Sequence, residues 1–186
     1  IGANGEKLPA TAAAWSCVLD NHTGLMWEVK TADGGLRDWR HRFTWYNPDA
    51  TINGGNAGYQ DAHEVTATVA AGSTCGGTLA QCNTLAFAAK VNEAGLCGHK
   101  DWQVPDQEQL LSLPDYGRSL PAIDTAYFPN TAYSCDDGSG WCGAYWSSSS
   151  VAGYGGLAWY VLFYYGDDSN DYKDGDGYVR LVRARQ

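Results

Sequence analysis

Hydrophobic and polar positions alternate most regularly near the carboxy end, in Ala158-Trp-Tyr-Val-Leu-Phe-Tyr-Tyr165. A period of two places Trp159, Val161 and Phe163 on one face of a strand and Tyr160, Leu162 and Tyr164 on the other. A strand that is apolar on one side and tyrosine-rich on the other is expected to keep one wet face for contact. Residues 145–149 and 178–184 are expected to neighbour it in an antiparallel sheet. Near the amino end, residues 17–20 and 25–28 read as a β-hairpin turned by Asn21 and Gly24.

Between these β regions the period lengthens. Leu79, Cys82, Ala86, Ala89 and Glu93 fall three or four apart, which predicts a helix over about 78–94, capped by Thr78 and stopped by Gly95. A shorter helix is predicted after Val104-Pro105. Asp106 caps it, Gln109 reaches back three residues later, and Leu110, Leu111 and Leu113 face the core. Residues 31–73 hold no period and are punctuated by Asn-Pro, Asn-Gly-Gly and Asn-Ala-Gly, so much of that stretch is expected to be loop.

Composition sharpens this picture. The chain has 186 residues with 23 glycines, eight tryptophans and one methionine, which suits a loop-rich fold with large apolar anchors rather than a helical bundle. Without a Pro/Ser linker, a charge block or a fixed repeat, a single domain over 1–186 is expected. A net charge of −9, from 12 basic and 21 acidic residues, argues against tracking phosphates, so no nucleic-acid partner is expected. No apolar run approaches the roughly twenty residues that span a bilayer. The chain starts abruptly at Ile1. The expectation is a mature or trimmed chain, with its export signal and any membrane anchor, such as that of a lipoprotein, lying upstream.

Six cysteines are an even number, which points to disulfides and an oxidising compartment, extracellular or at the cell surface. Sequence alone leaves every pairing open. The expected set is Cys75–Cys82 and Cys135–Cys142, each closing a short glycine-rich loop, with Cys17–Cys97 tying the first strand to mid-chain. A zinc site would need short paired spacings, whereas His22, His41, His63 and His99 are scattered. No glycine-rich phosphate loop or Gly-x-Ser-x-Gly elbow occurs. No catalytic residue, cofactor or metal is therefore expected, and the chain reads as a non-enzymatic binding domain.

Several separated segments, in order, resemble one family. Trp15-Ser-Cys-Val-Leu-Asp-Asn-His-Thr-Gly-Leu-Met-Trp-Glu28 resembles its opening motif, and Gly95-Leu-Cys-Gly-His-Lys-Asp-Trp-Gln-Val-Pro105 followed by Glu108-Gln-Leu-Leu111 its central one. Pro121-Ala-Ile-Asp124, Tyr127-Phe-Pro-Asn130, Tyr145-Trp-Ser-Ser148 and Tyr178-Val-Arg-Leu-Val-Arg183 complete the series. These are similar to the landmarks of the Lcl-type domain at the carboxy end of collagen-like bacterial adhesins. The resemblance implies an α+β, C-type lectin-like fold: a twisted antiparallel sheet flanked by two helices, loop-rich and disulfide-braced, with an exposed binding face on the bacterial outer surface. Gln103 departs from the usual arginine of the central motif, and Leu181 stands where many relatives carry cysteine. The sulfatase-activating formylglycine-forming enzymes share this broad fold, but Cys135 and Cys142 have no nearby basic residue to stabilise a thiolate.

The stretch over 145–178 carries a narrower resemblance. It is built largely from Tyr, Asp, Ser, Gly and Asn, interrupted by Trp146, Trp159, Val161, Phe163 and Lys173 as expected framework. It resembles the variable region of a diversity-generating retroelement target protein, whose adenine-directed mutagenesis yields those residue types. Antibody paratopes favour the same composition, because tyrosine gives wide amphipathic contact at low entropic cost and Ser, Gly and Asn adapt their hydrogen bonds. The expected ligand-binding residues are Ser150, Tyr154, Leu157, Tyr160, Leu162, Tyr164, Tyr165, Asp167, Asp168, Ser169, Asn170, Asp171, Tyr172, Asp174 and Asp176, facing a protein or peptide ligand. Two other readings stand beside this one. Residues 167–171 and 174–177 also read as a solvated acidic hairpin loop, and the whole chain as an adhesin with a fixed ligand, a host glycan or protein. Calcium fits poorly, because Asp167-x-Ser-x-Asp171 lacks the glycine and glutamate of an EF-hand loop and Phe128-Pro-Asn130 resembles a sugar-binding Glu-Pro-Asn triplet only superficially.

Overall fold

The computed structural model describes residues 1–9, 11–134 and 143–184. Among these described residues the architecture is α+β, with two short α-helices and antiparallel strand pairs. The Cys135–Cys142 pairing falls outside the described residues. The other two expected pairings are present, Cys17–Cys97 and Cys75–Cys82.

The amino-terminal hairpin forms from β1 (Cys17–Leu19) and β2 (Leu25–Glu28). Its turn is organised by Asp20, whose carboxylate accepts from the His22 N–H at 2.8 Å and from the Thr23 hydroxyl at 2.6 Å. On the other edge of β2 lies β8 (Val182–Ala184), with Val182 opposite Trp27. This corrects the expectation that residues 178–184 flank the strand over 158–165. Val182 and Trp27 are both fully buried, and the Glu28 carboxylate accepts the Leu181 N–H at 3.0 Å, so packing against β2 directs the chain end there. Among the described residues, one bridge, Tyr145 to Tyr178, links the segment to the other sheet.

Helix α1 (Thr84–Ala94) starts later than its sequence period suggested. Asn83, not Thr78, is the cap: its side chain accepts the Ala86 N–H at 2.8 Å. Cys82 is bound to Cys75, and its N–H is held by the Asp61 carboxylate at 2.7 Å, which keeps the preceding residues out of the helix. Thr78 donates instead to the Cys75 carbonyl. The buried stripe is Thr84, Phe87, Ala88 and Val91, whereas Ala89 and Glu93 face solvent. Gly95 ends the helix at φ +70°, a conformation that favours glycine. Helix α2 (Gln107–Leu111) carries the expected capping box, with the Asp106 carboxylate accepting from the Gln109 N–H and the Gln109 side chain accepting from the Asp106 N–H.

The sheet that bears the candidate surface runs in order β4 (Ala144–Val151), β5 (Tyr154–Leu162) and β6 (Asp168–Tyr172). The alternating strand therefore begins at Tyr154 and ends at Leu162, and Phe163 to Tyr165 form a turn. Of the acidic residues, Asp168 and Asp171 lie in strand β6 and Asp176 in a further short strand, whereas Asp167 precedes β6 and Asp174 lies in the turn after it. A smaller pair joins β3 (Phe43–Thr44) to β7 (Asp176–Gly177).

Two hydrophobic clusters sandwich β4 and β5. Trp146 and Ala158 point into one cluster with Trp45, Phe87 and Trp102, and Phe87 stacks on Phe43 at 4.7 Å between ring centres. Tyr145, Val161 and Phe163 point into the other with Trp27, Leu110 and Ile123. Each face of the strand thus meets a core, so the expected division into one dry and one wet face is corrected. Tyr160 is half-buried against the first cluster, its ring edge-on to Trp146 at 6.0 Å. Leu181 is fully buried in the same cluster.

Candidate binding surface

The β5–β6 hairpin brings most of the expected residues together through its register. Leu157 lies opposite Tyr172, Trp159 opposite Asn170, Tyr160 opposite Ser169 and Val161 opposite Asp168. Cross-strand partners share a face. Leu157, Trp159, Asn170 and Tyr172 therefore lie on one side, with Tyr160, Ser169 and Asp171 on the other. The acidic and aromatic residues are adjacent but divided between two faces.

The rest lie at the ends of the hairpin. Tyr164 and Tyr165 occupy the β5–β6 turn, with their rings edge-to-face at 4.4 Å. Tyr116, 72 % exposed, stands beside that turn, since its ring is among the nearest atoms to Gly166. Tyr154, Tyr172 and Ser150 lie towards the opposite end. Asp174 sits in the turn after β6, and Asp176 lies apart in β7, where Arg42 approaches its carboxylate at 3.4 Å. Arg40 pairs with Asp38, and Arg37 donates to the Val29 carbonyl, so these arginines are committed to local partners.

Burial separates the two classes of residue along 145–178. Tyr154, Tyr165, Asp167, Asp168 and Tyr172 are exposed, and the other ten expected binding residues are half-buried. Trp146, Val161, Phe163 and Lys173 are at most 1 % exposed, and Trp159 is half-buried.

Lys173 fixes the end of the hairpin that carries Tyr154 and Tyr172. Its ammonium donates to the carbonyls of Asn53 and Asn56, both at 2.8 Å, and to the Ser150 hydroxyl at 2.9 Å. It also lies 3.9 Å from the centre of the Trp45 ring. All three N–H donors are thus used, and the loop around residues 47–58 is tied to the sheet. Desolvation lowers the Lys173 pKa to about 8. Deeper in, the Trp146 indole donates to the Phe43 carbonyl at 3.0 Å. Gly177 lets that indole approach, because a side chain there would meet Nε1 at 2.8 Å.

Sequence reasoning missed three contributors. Gln107 donates from the start of α2 to the Asp168 carboxylate. Tyr116 lies in a Pro-Asp-Tyr-Gly turn, where an aromatic residue outside any period was the available signal. A cleft of about 430 Å³ between α1 and the 45–52 segment, lined in part by Trp45, Tyr46, Ile52, Leu85 and Trp102, had no local signature. Among the described residues, no helix is long and apolar enough to cross a membrane.

Comparison with known proteins finds no matching curated protein and no matching solved structure. The Lcl C-terminal domain family matches residues 16–183, a span that takes in both disulfides, both helices and the whole hairpin, and the chain belongs to that family.

Proposed function

We propose that this domain displays a replaceable recognition surface outside the cell, binding a protein or peptide ligand through the β5–β6 hairpin and its two ends. On this reading a diversity-generating retroelement rewrites the codons of residues 145–178, and the scaffold is a variant of the C-type lectin-like fold. Membership of the Lcl C-terminal domain family supports an adhesin-like role. The two disulfides suit an oxidising, extracellular setting. Display on a bacterial outer surface through an upstream anchor belongs to the same reading, as does the absence of catalysis.

One observation carries it. None of the fifteen expected binding residues is buried, while four of the five residues that interrupt them are. Replacement at an exposed position usually changes stability by less than about 0.5 kcal/mol, whereas truncating a large core residue costs about 2–5 kcal/mol. A surface under repeated replacement has to be drawn from the first class and held by the second. Its exposed tyrosines supply rigid anchors, and its aspartates bias it against acidic partners.

Sequencing the gene's neighbourhood tests the reading. A reverse transcriptase gene beside a near-copy of the segment encoding residues 145–178, differing at adenines, is the expected result. Absence of both would leave an adhesin with a fixed host glycan or protein ligand.

A further inference from the structure

We infer that the free edge of β6 accepts an extended, basic peptide segment as an added strand of the β4–β5–β6 sheet. The inference rests on the reading that this hairpin is the recognition surface, and it names the class of ligand and the way it is held.

The direction of the backbone groups follows from the two ends of the strand pair. Leu162 donates its N–H to the Asp167 carbonyl at 2.8 Å, and Lys173 donates to the Gly156 carbonyl at 3.0 Å. In an antiparallel pair the hydrogen-bonded positions alternate. Residues 167, 169, 171 and 173 therefore turn their backbone groups towards β5, and Asp168, Asn170 and Tyr172 turn theirs outward. Tyr172 is occupied already, since its N–H goes to the Asp171 carboxylate at 2.7 Å and its carbonyl accepts from the Gly175 N–H at 3.0 Å. The N–H and carbonyl of Asp168 and of Asn170 remain. Strand β6 pairs with β5 alone, so among the described residues no strand covers these groups.

The charge around this edge selects the partner. Asp167, Asp168, Asp171 and Asp174 lie on or beside the strand. The nearby cation, Lys173, is buried and spends its ammonium on the 47–58 loop and Ser150. A second copy of β6 would set aspartates against aspartates, which opposes self-pairing. A strand carrying lysine or arginine on both faces is attracted instead, and its backbone meets the four open groups, as in recognition by strand addition. Tyr172, 66 % exposed and opposite Leu157, offers apolar contact at one end.

The probe is a fluorescein-labelled hexapeptide of sequence Lys-Lys-Val-Val-Lys-Lys, which sets lysines on both faces of an extended strand, followed by anisotropy on the unaltered protein. Saturable binding is expected, weakened about tenfold or more when every backbone nitrogen of the peptide is methylated. Asn170→Pro removes an N–H that β5 does not use, and it should weaken binding similarly once circular dichroism shows an intact fold. Asp168→Asn with Asp171→Asn should weaken binding and flatten its salt dependence. Equal binding of the methylated and unmethylated peptides, or no saturation by about 1 mM, would overturn the proposal. A library varied at Tyr154, Tyr165, Asp168, Ser169 and Tyr172 separates the two readings. If it yields binders that are indifferent to Asn170→Pro while the peptide fails, the edge proposal falls and the display reading stands. If it yields no binders to any target, the display reading falls.

Discussion

Lys173→Met tests how the recognition hairpin is held. Methionine keeps most of the apolar stem but removes the ammonium and with it three hydrogen bonds, at 2.8, 2.8 and 2.9 Å. The carbonyls of Asn53 and Asn56 and the Ser150 hydroxyl then lose a charged donor, and Trp45 loses the cation over its ring. Each hydrogen bond to a charged group contributes about 1.5–3 kcal/mol, so three give a gross loss of about 4.5–9 kcal/mol. Relief of the buried charge returns part of that, because desolvation already disfavours the ammonium here. A net loss of about 3–5 kcal/mol is expected. At about 2–4 °C per kcal/mol for a domain of this size, the melting temperature should fall by roughly 6–20 °C. Thermal unfolding of the oxidised protein followed by circular dichroism measures the fall. Hydrogen exchange should show the amides around residues 53–58 opening before those of β5. A melting temperature within about 2 °C of the parent would refute the reasoning, since the loop would then be held by other contacts.

Three further outcomes follow from burial and chemistry. Trp146→Ala should cost about 3–5 kcal/mol in chemical denaturation, whereas Tyr154→Ala, at a residue 68 % exposed, should stay within about 0.5 kcal/mol; similar losses at both would break the framework-and-face division. Burial raises the Asp61 carboxyl pKa, but backbone N–H groups of Cys82, Gly72 and His63 and the His63 side chain outweigh it and hold the pKa below the ordinary 3.8. The resulting stability is fully present above that ordinary value and is lost as pH falls through the lower folded value. The parent should therefore lose more stability than Asp61→Asn on acidification below about pH 4, and parallel losses would refute the assignment. Removing Cys17–Cys97, whose partners lie 80 residues apart, should cost about 4–5 kcal/mol by chain entropy against about 2 kcal/mol for Cys75–Cys82, seven apart. Denaturant titration of the paired serine variants compares them, and equal losses would reject the entropic account.

What the sequence determined by itself is local or compositional. Asp106 and Gln109 form their capping box because both partners lie within one turn. The hairpin of β1 and β2 needs only its own turn. Within residues 145–178, Trp146, Val161 and Phe163 read as framework because large apolar side chains are costly to leave at a surface, and all three are buried, but Tyr145 and Tyr178 are buried as well, so residue type alone does not divide the stretch.

Only the tertiary structure decided where these pieces go. Nothing near Thr78 announces that Asp61 will hold the Cys82 N–H and delay α1 to Thr84. Nothing in residues 178–184 reveals that Val182 will lie against Trp27, some 150 residues earlier, instead of beside β5. The period of two in β5 assigns its two faces but not what covers them, and the structure puts a core against each. Lys173 reads as a surface charge until its ammonium finds two carbonyls more than a hundred residues away. Caps and turns are set by neighbours along the chain, whereas sheet order and buried charge are set by which distant surfaces exclude water together.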